Sequence, residues 1–227
     1  GPESELNQTE ITQPALLAAG YATWQCWQKR TESTPAVVAG HSLGEYTALV
    51  CAGVIGFEDA IKLVAERGRC MQSAVPAGVG AMAAILGLED EQVEAVCDSA
   101  AEGGVVSAAN YNSPGQVVSA GYQTAVERAI SAAKDAGAKR ALLLPVSVPS
   151  HCLLMKEAAE RFAATLDAVS FNNANIPVIQ NVDATARTDA ETIKPVILEQ
   201  LYKPVQWVGV INTMKAQGIN KVIEAGP

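Results

Sequence analysis

The segment that most restricts the fold is the pentapeptide Gly-His-Ser-Leu-Gly at residues 40–44. It overlaps the end of an apolar run at 36–40, which predicts a strand buried on both faces, and a helix is predicted from about Ser42 to Ala52. A Gly-x-Ser-x-Gly turn between a strand and a helix is sharp and strained, and we expect its glycines to permit it. Such a turn exposes the serine hydroxyl and directs the first N–H groups of the helix to the same point. The segment predicts Ser42 as a nucleophile, with an ordinary glycine-rich turn as the alternative.

Predicted strands and helices alternate along most of the remaining chain. Residues 81–144 predict strand, helix, strand, strand, helix and strand, with the two middle strands joined by a turn at 112–115. This βαββαβ order is typical of a ferredoxin-like unit, for which about 65 residues suffice. The elements on either side predict a parallel sheet covered on both faces, with a last strand at Lys221–Glu224. We therefore predict an α/β fold in which a βαββαβ unit is inserted into a parallel-sheet core.

The first long helix is predicted from Gln13 to Lys29. Leu17, Tyr21 and Trp24 are spaced so that they form one apolar face of this helix. Pro14 would lie in the first turn, where proline is tolerated because its missing N–H has no partner there. We expect the apolar face to pack in the core.

Composition and charge exclude several classes of protein. The chain has 24 acidic and 16 basic residues, and a net charge of −8 excludes a general nucleic-acid binder. No apolar run approaches the ~20 residues that a membrane span needs, and the first residues do not form a signal peptide. Five cysteines without a Cys-x-x-Cys pair argue against a disulfide framework or a zinc site. We therefore expect a cytoplasmic protein with free thiols and no bound metal.

A nucleophilic serine needs a base, and the sequence has two histidines. His41 is next to Ser42 in the turn and should point away from its hydroxyl. His151 follows a proline-containing loop and is predicted to lie at the start of a helix, which makes it the candidate base by elimination, with a structural histidine as the alternative. No acidic residue is an obvious third member of a triad, so a main-chain carbonyl could orient the imidazole instead. Cys152, the next residue, is predicted to be a buried thiol.

Arg67 lies on the helix that follows the predicted Ser42 helix. Leu63 and Met71 are four residues away on either side, so Arg67 shares a mostly apolar face. An arginine on a buried face favours an anion, and a planar carboxylate is its best bidentate partner. A salt bridge to an internal Asp or Glu is the alternative.

Several motifs together resemble the bacterial malonyl-CoA:acyl carrier protein transacylases of fatty-acid synthesis, and the resemblance covers essentially the whole chain. The motifs are Gly-His-Ser-Leu-Gly-Glu at 40–45, Arg67, Asn-Tyr-Asn-Ser-Pro-Gly-Gln at 110–116, Val-Pro-Ser-His at 148–151 and Gln-Leu-Tyr-Lys-Pro-Val-Gln-Trp at 200–207. The resemblance implies an α/β-hydrolase-like core at 1–77 and 146–227. It also implies a ferredoxin-like subdomain at 78–145, in agreement with the strand order predicted above.

The resemblance also implies a mechanism. Ser42 would attack the malonyl thioester while His151 takes its proton, coenzyme A would leave, and the phosphopantetheine thiol of acyl carrier protein would then accept the malonyl group in ping-pong fashion. No cofactor is implied beyond the substrate malonyl-CoA. The implied roles of other residues are the malonyl-carboxylate clamp for Arg67, an oxyanion N–H for Leu43, histidine orientation by the main-chain carbonyl of Gln200, and an acyl pocket lined by Met71, His41 and Asn110.

The sequence departs from the family pattern at both ends. Family members begin with a strand and a Gly-Gln-Gly-Ser-Gln loop that supplies a second oxyanion N–H, and this sequence has no such loop. There is no initiating Met, and the family's Gly-Pro-Gly stretch stops at Gly226-Pro227, so we expect truncated ends. Removing one oxyanion donor costs roughly 10²–10³ in rate in other acyl-transfer enzymes, so we expect impaired activity.

The partner and the alternative functions follow from the same residues. Carrier proteins are acidic, so docking would need a local basic patch, for which the candidates are Lys134, Lys139, Arg140, Lys156 and Lys203. A serine esterase or thioesterase is a second possibility, although Arg67 and the missing triad acid argue against it. An acyltransferase domain of a polyketide synthase and an inert fragment are the other two.

Overall fold

The chain, described by a computed structural model at residues 2–6, 8–76, 78–146 and 148–226, is built of alternating helices and strands. The helices are α1 Glu3–Leu6, α2 Thr9–Gln28, α3 Leu43–Cys51, α4 Phe57–Gln72, α5 Asp90–Ala101, α6 Gln123–Asp135, α7 Lys156–Asp167, α8 Ala190–Glu199 and α9 Trp207–Ala216. The strands are β1 Val38–Ala39, β2 Gly80–Leu86, β3 Val106–Ser113, β4 Gln116–Tyr122, β5 Arg140–Leu143, β6 Val178–Ile179 and β7 Ala186–Arg187. Within the described ranges, no helix combines the length and hydropathy that crossing a membrane requires.

The chain divides into two compact units, each with a sheet of its own. The first unit comprises Gly1–Arg69, Phe162–Leu198 and Gly209–Pro227, and its sheet has the order β1-β6-β7. The second unit comprises Cys70–Arg161 and Glu199–Val208, and its sheet has the order β3-β4-β2-β5. The protein is therefore an α/β protein, as predicted. One sheet contains both parallel and antiparallel pairs, and the other contains only antiparallel pairs.

The four-stranded sheet of the second unit is antiparallel throughout. β2 lies between β4 and β5, with Met82 opposite Ala120 and Ala84 opposite Leu142. β3 and β4 form a hairpin whose turn passes through Gly115 at a φ of 71°, a left-handed conformation that glycine adopts without strain. The predicted succession of strand, helix, two strands, helix and strand is confirmed, with element ends that move by a few residues.

The two faces of this sheet have different cores, because alternate residues of a strand point to opposite faces. On one face, Ala83 and Ile85 pack with apolar residues of α5 and α6. On the other face, Met82 packs with Cys152, so the loop around residue 151 is anchored to the sheet by the apolar residue that follows it. Successive residues of β2 therefore pack against helices α5 and α6 on one face of the sheet and against the histidine loop on the other.

The sheet of the first unit is mixed, which corrects the predicted parallel sheet. β1 and β6 are parallel, with Val38 opposite Val178, but β6 and β7 are antiparallel. β7 was not predicted, and it follows β6 through the short connection 180–185, which is too short for the crossover that a parallel pair needs. β1 is also shorter than the apolar run 36–40 and only half-buried, so the prediction of a strand buried on both faces is wrong.

Helix α2 begins earlier than predicted, and this moves Pro14 into the helix interior. The first turn of α2 is at Thr9, with Thr12 Oγ1 donating to the main-chain oxygen of Gln8 at 3.0 Å. Because α2 starts at Thr9, Pro14 lies beyond the first turn, and the predicted first-turn placement was wrong. An interior proline removes one helical hydrogen bond. Leu17 and Trp24 are buried as predicted, whereas Tyr21 is half-buried and stacks on Phe57 with ring centroids 4.8 Å apart.

The strand predicted at Lys221–Glu224 is not formed. These residues have no regular secondary structure, and the side chains of Val222 and Ile223 are 68% and 52% exposed. A β-branched pair favours extended backbone, but a strand also needs a neighbouring strand to pair with, and in the described structure this segment has none.

Candidate active site

The turn between β1 and α3 holds Ser42 in a strained conformation. Its φ of 51° and ψ of −109° lie outside the regions that residues with a side chain usually adopt. A Cβ atom at Gly40 would lie 2.0 Å from the main-chain carbon and oxygen of Gly44, so only glycine fits at position 40. A Cβ at Gly44 would meet no described atom within 4 Å. The expectation that both glycines permit the turn is therefore right for Gly40 and wrong for Gly44.

The N–H groups at the start of α3 have different partners. The N–H of Ser42 donates to Asn181 Oδ1 at 2.7 Å, that of Gly44 donates to the oxygen of His41 at 2.8 Å, and that of Glu45 donates to the oxygen of Ser42 at 3.1 Å. In the part of the chain that the structure describes, the N–H of Leu43 has no hydrogen-bond acceptor. An N–H at the first turn of a helix carries partial positive charge, so Leu43 offers a donor to an oxygen atom beside Ser42.

Arg67 extends from α4 to the hydroxyl of Ser42. Its Nη2 atom lies 3.4 Å from Ser42 Oγ, and its Nη1 atom donates to Gln13 Oε1 at 2.8 Å. The guanidinium carbon lies 5.3 Å from the ring centroid of Tyr46. Arg67 is only 1% exposed, so these contacts place a buried cation beside the serine.

The electrostatics of Arg67 reflect its burial. Loss of water lowers the pKa of Arg67, while the neighbouring Tyr46 and Glu45 raise it. Burial likewise raises the pKa of Tyr46, which keeps the phenol neutral. A guanidinium keeps its proton in proteins, so Arg67 presents a positive charge in a low-dielectric surrounding, where an anion is held most strongly.

Gln13 fixes the direction of the guanidinium. Its Nε2 atom donates to Thr9 Oγ1 at 3.0 Å, so its amide oxygen is the atom that faces Arg67. Gln13 is buried at the start of the apolar face of α2. The amide therefore orients Arg67 without adding a charge of its own.

The histidine loop of the second unit, residues 148–152, holds the second candidate residue. His151 is buried, and its ring Nδ1 atom lies 2.7 Å from the main-chain oxygen of Gln200. Its main-chain N–H donates to the main-chain oxygen of Leu201 at 3.1 Å. A carbonyl oxygen can only accept, so the proton lies on Nδ1 and, in the neutral ring, the lone pair lies on Nε2. That is the arrangement of a base whose orientation is fixed by its other nitrogen.

His151 does not begin a helix, contrary to the prediction. Its φ of 61° is left-handed, so His151 itself is not part of a right-handed helix. A short 3₁₀ turn at Leu153–Met155 follows, and α7 begins only at Lys156. His151 is held by the segment at 200–201 and not by helix geometry.

The segment that carries Gln200 is itself attached to β3. The N–H of Val205 donates to the oxygen of Ala109, and the N–H of Tyr111 donates to the oxygen of Val205, both at 2.9 Å. Asn110 lies between these bonds, is buried, and forms a parallel bridge with Val205. The carbonyl that faces His151 therefore comes from a segment paired with a regular strand.

The remaining predicted residues have the following places. Cys152 is buried, as predicted; its thiol donates to the oxygen of Pro149 at 3.2 Å, and burial raises its pKa to about 11. Met71 is buried in the second unit, and His41 is exposed in the first. Among the described residues, no three His, Cys, Asp or Glu side chains form a group that could hold a metal ion.

The structure thus groups the predicted residues by unit. Ser42, Leu43 and Arg67 meet in the first, whereas His151, Gln200 and Asn110 lie in the second. Sequence reasoning missed the residues that hold Ser42 and Arg67, which are Gln13, Glu45, Tyr46 and Asn181. A polar Gln13 on the apolar face of α2 was a usable signal, while nothing near Asn181 in the sequence points to Ser42.

Comparison with known proteins gives matches over the whole chain. The model of the acyl transferase domain family matches residues 1–227, and the malonyl CoA-acyl carrier protein transacylase of Escherichia coli K12 is 56% identical over the whole chain. The chain belongs to the family of malonyl CoA-acyl carrier protein transacylases. It spans 74% of the length of that relative, and the family resemblance predicted from the motifs is confirmed.

Solved structures of the family share this fold. An acyl carrier protein S-malonyltransferase from Vibrio cholerae is 61% identical with a TM-score of 0.98, over all of this chain and 74% of its own. A malonyl-transacylase solved in complex with its type II polyketide synthase acyl-carrier protein is 53% identical, also with a TM-score of 0.98 and the same coverage. The α/β fold, with one mixed and one antiparallel sheet, is therefore that of the family.

Proposed function

We propose that the protein transfers a malonyl group from coenzyme A to the phosphopantetheine thiol of an acyl carrier protein, for fatty-acid elongation. The observation that carries the proposal is the buried cation of Arg67, whose Nη2 atom lies 3.4 Å from the hydroxyl of Ser42. A cation at that distance from a nucleophile can bind the free carboxylate of a malonyl group bonded to it. The name of the Escherichia coli relative specifies malonyl CoA and acyl carrier protein, and that of the Vibrio cholerae relative specifies malonyl transfer to acyl carrier protein.

In the first half-reaction, Ser42 Oγ attacks the thioester carbonyl carbon while His151 Nε2 takes the hydroxyl proton. The carbonyl oxygen becomes an oxyanion that the N–H of Leu43 stabilises. The tetrahedral intermediate then breaks its carbon–sulfur bond, and His151 returns the proton to the sulfur of coenzyme A. This leaves a malonyl ester on Ser42, which makes the mechanism ping-pong.

In the second half-reaction, the carrier thiol gives its proton to His151 and attacks the ester carbonyl. The carbon–oxygen bond to Ser42 breaks, and the serine oxygen recovers the proton. The contact of Nδ1 with the carbonyl of Gln200 supports this role, because a fixed acceptor keeps Nε2 unprotonated before each step. Both half-reactions balance without a cofactor or metal, so we propose none.

The fold supports the same assignment. We propose that residues 78–145 are a ferredoxin-like subdomain inserted into an α/β-hydrolase-like core at 1–77 and 146–227. The order β3-β4-β2-β5 with antiparallel pairing supports the subdomain, and the strand–turn–helix at Ser42 supports the core. The acyl-pocket roles of Met71, His41 and Asn110 stay predictions.

We propose a cytoplasmic location on the basis of the thiols. The five cysteines, all within the described residues, form no disulfide, which suits a reducing compartment.

The basic residues considered for carrier docking all lie in the second unit, and Lys134, Lys139, Arg140 and Lys156 are exposed. Lys203 is bonded to Glu199 at 2.8 Å, which makes it the weakest of these candidates.

The acceptor distinguishes this function from that of a serine esterase. The protein, loaded with malonyl-CoA and freed of excess donor, is expected to pass its malonyl group to a holo acyl carrier protein of fatty-acid synthesis. Intact mass of the carrier measures the transfer, and the apo carrier, which lacks the phosphopantetheine thiol, is the control. Release of malonate to water at the same rate with either carrier would show an esterase and refute the proposal.

Arg67 is expected to determine the preference for a malonyl over an acetyl group. Arg67→Ala should lower kcat/KM for malonyl-CoA by at least about 30-fold, because removing one partner of a buried charge pair costs at least ~2 kcal/mol. The rate with acetyl-CoA, which has no free carboxylate, should change little. The measurement is the ratio of kcat/KM for the two donors.

Arg69 provides a matched control on the same helix. Its side chain is 55% exposed and pairs with Glu66 at 2.7 Å, so Arg69→Ala should leave the donor ratio unchanged. A donor ratio that is the same in Arg67→Ala as in the wild type would contradict the carboxylate role.

A further inference from the structure

Asn181 is fully buried and bonded to the turn that carries Ser42 at three points. Its Oδ1 atom accepts from the N–H of Ser42 at 2.7 Å, and its Nδ2 atom donates to the oxygen of Gly40 at 2.8 Å. Its own main-chain N–H donates to Glu45 Oε2 at 3.2 Å. Asn181 thus contacts the residue two positions before the serine, the serine itself and a residue in the first turn of α3.

These bonds act on the dihedral angles that make Ser42 unusual. A residue with a side chain rarely adopts a φ of 51°, and this conformation persists only where its surroundings enforce it. The bonds from Gly44 to His41 and from Glu45 to Ser42 are local and lie on the helix side of the turn. The two bonds to the Asn181 amide fix the successive peptide planes that lead into Ser42.

The Asn181 amide also determines which N–H stays available. It occupies the N–H of Ser42 and leaves the N–H of Leu43 without an acceptor among the described residues. Asparagine is suited to this place because one end of its amide accepts and the other donates, and both ends are used here. Glu45, which is fully buried, holds the main chain of Asn181 in register with the turn.

We propose that Asn181 is a positioning residue for the nucleophile, which holds Ser42 in the strained conformation from which it attacks the thioester. The inference rests on the proposed role of Ser42 and extends it, because it assigns the strained geometry to a residue distant in sequence. Arg67 also contacts the Ser42 hydroxyl, but its guanidinium is held by Gln13 and Tyr46 and not by Asn181. Binding of the substrate carboxylate and positioning of the nucleophile therefore depend on different residues.

The test is the rate at which malonyl-CoA acylates Asn181→Ala and Asn181→Leu, followed by rapid quenching and intact mass. We expect an acylation rate about 100-fold lower, because a displacement of the reacting atom by ~1 Å costs that much. KM for malonyl-CoA and the malonyl-to-acetyl ratio should stay at wild-type values, because the Arg67 contacts are intact. A role in folding alone would not separate kcat from these two quantities.

Thr213→Val is the matched control. Thr213 Oγ1 donates to the main-chain oxygen of Ala184 at 2.8 Å, so the variant loses a hydrogen bond of the same unit and keeps its shape. Its acylation rate should equal that of the wild type, and thermal unfolding compares the stabilities of all the variants. Wild-type acylation rates in the folded Asn181 variants would overturn the inference, whereas malonyl found on a residue other than Ser42 would overturn the proposed function instead.

Hydrogen exchange of the wild-type protein tests the same contact without a variant. The N–H of Ser42 should be protected by its bond to Asn181, and that of Leu43, which has no acceptor among the described residues, should exchange faster. Equal exchange at the two positions would overturn the inference even if no Asn181 variant folds.

Discussion

Replacing Ser42 by alanine is expected to abolish the covalent malonyl enzyme. The wild-type protein should gain the mass of one malonyl group when mixed briefly with malonyl-CoA, and Ser42→Ala should gain none. Turnover should fall by roughly 10⁶-fold, as in other enzymes that lose a serine nucleophile. The main-chain bonds of residue 42 to Asn181 and Glu45 do not involve the hydroxyl, so the variant should keep the turn. Intact mass and peptide mapping measure the adduct.

Ser99→Ala is a suitable control for this experiment. Ser99 Oγ donates to the oxygen of Val96 at 2.9 Å within α5, so the variant removes a partly buried serine hydroxyl away from the strained turn. It should form the adduct as the wild type does. A malonyl adduct that persists in Ser42→Ala would show that another residue is the nucleophile.

His151→Ala is expected to slow both half-reactions by about 10²–10⁴-fold, the usual contribution of a general acid–base residue. Acylation and transfer to the carrier should fall together, because the same Nε2 atom takes the proton from the serine and later from the thiol. Single-turnover rates of the two steps measure this. The variant also loses the bond to the carbonyl of Gln200, so circular dichroism and thermal unfolding must show that it is folded.

The neighbouring Cys152 provides the control and tests a competing nucleophile. A thiol with a pKa of about 11 stays protonated near neutral pH, so Cys152→Ala should acylate and transfer close to wild-type rates. Acylation at the wild-type rate in His151→Ala would contradict the role of base. Loss of acylation in folded Cys152→Ala that Cys152→Ser does not restore would show that the packing of Cys152 against Met82 is needed to hold the histidine loop.

The parts of the fold that sequence predicted are those with local signals. The hairpin of β3 and β4 is specified by a Pro-Gly turn, and the helices α5 and α6 by their apolar periodicity. The turn at Ser42 was also predicted, because Gly40 is the residue without which the chain could not approach Gly44 so closely. In each case the residues that decide the structure are neighbours in the chain.

The errors arise where the deciding contact is remote. Val222 and Ile223 have strand propensity, yet a strand depends on a partner that propensity does not supply. β7 is two residues long, too short for any alternation to be recognised. His151 has a left-handed φ and donates to the main-chain oxygens of Leu201 and Gln200, which are remote in sequence, and the helix predicted to begin there starts at Lys156 instead.

The candidate site shows the same division. Ser42, Arg67 and His151 were predicted from motifs, because the chemistry proposed for them restricts the residue type, and Leu43 was predicted from the family resemblance. Gln13 and Asn181 are not found, because an amide that orients another group has no sequence pattern of its own. Their roles follow only from distances between atoms that lie 54 and 139 positions apart in the chain.

The bond between Ser42 and Asn181 cannot form during protein synthesis until Asn181 has been added to the chain. A ribosome adds about 5–20 residues per second, so the 139 positions that separate the two residues take roughly 7–28 s to translate. During that interval β1 also lacks β6, with which it pairs. The hairpin of β3 and β4 needs no later segment and can close much sooner. If Asn181 positions the nucleophile as proposed, a nascent chain is expected to carry Ser42 without its strained geometry until β6 and Asn181 have been added, and so not to react with acyl-coenzyme A before then.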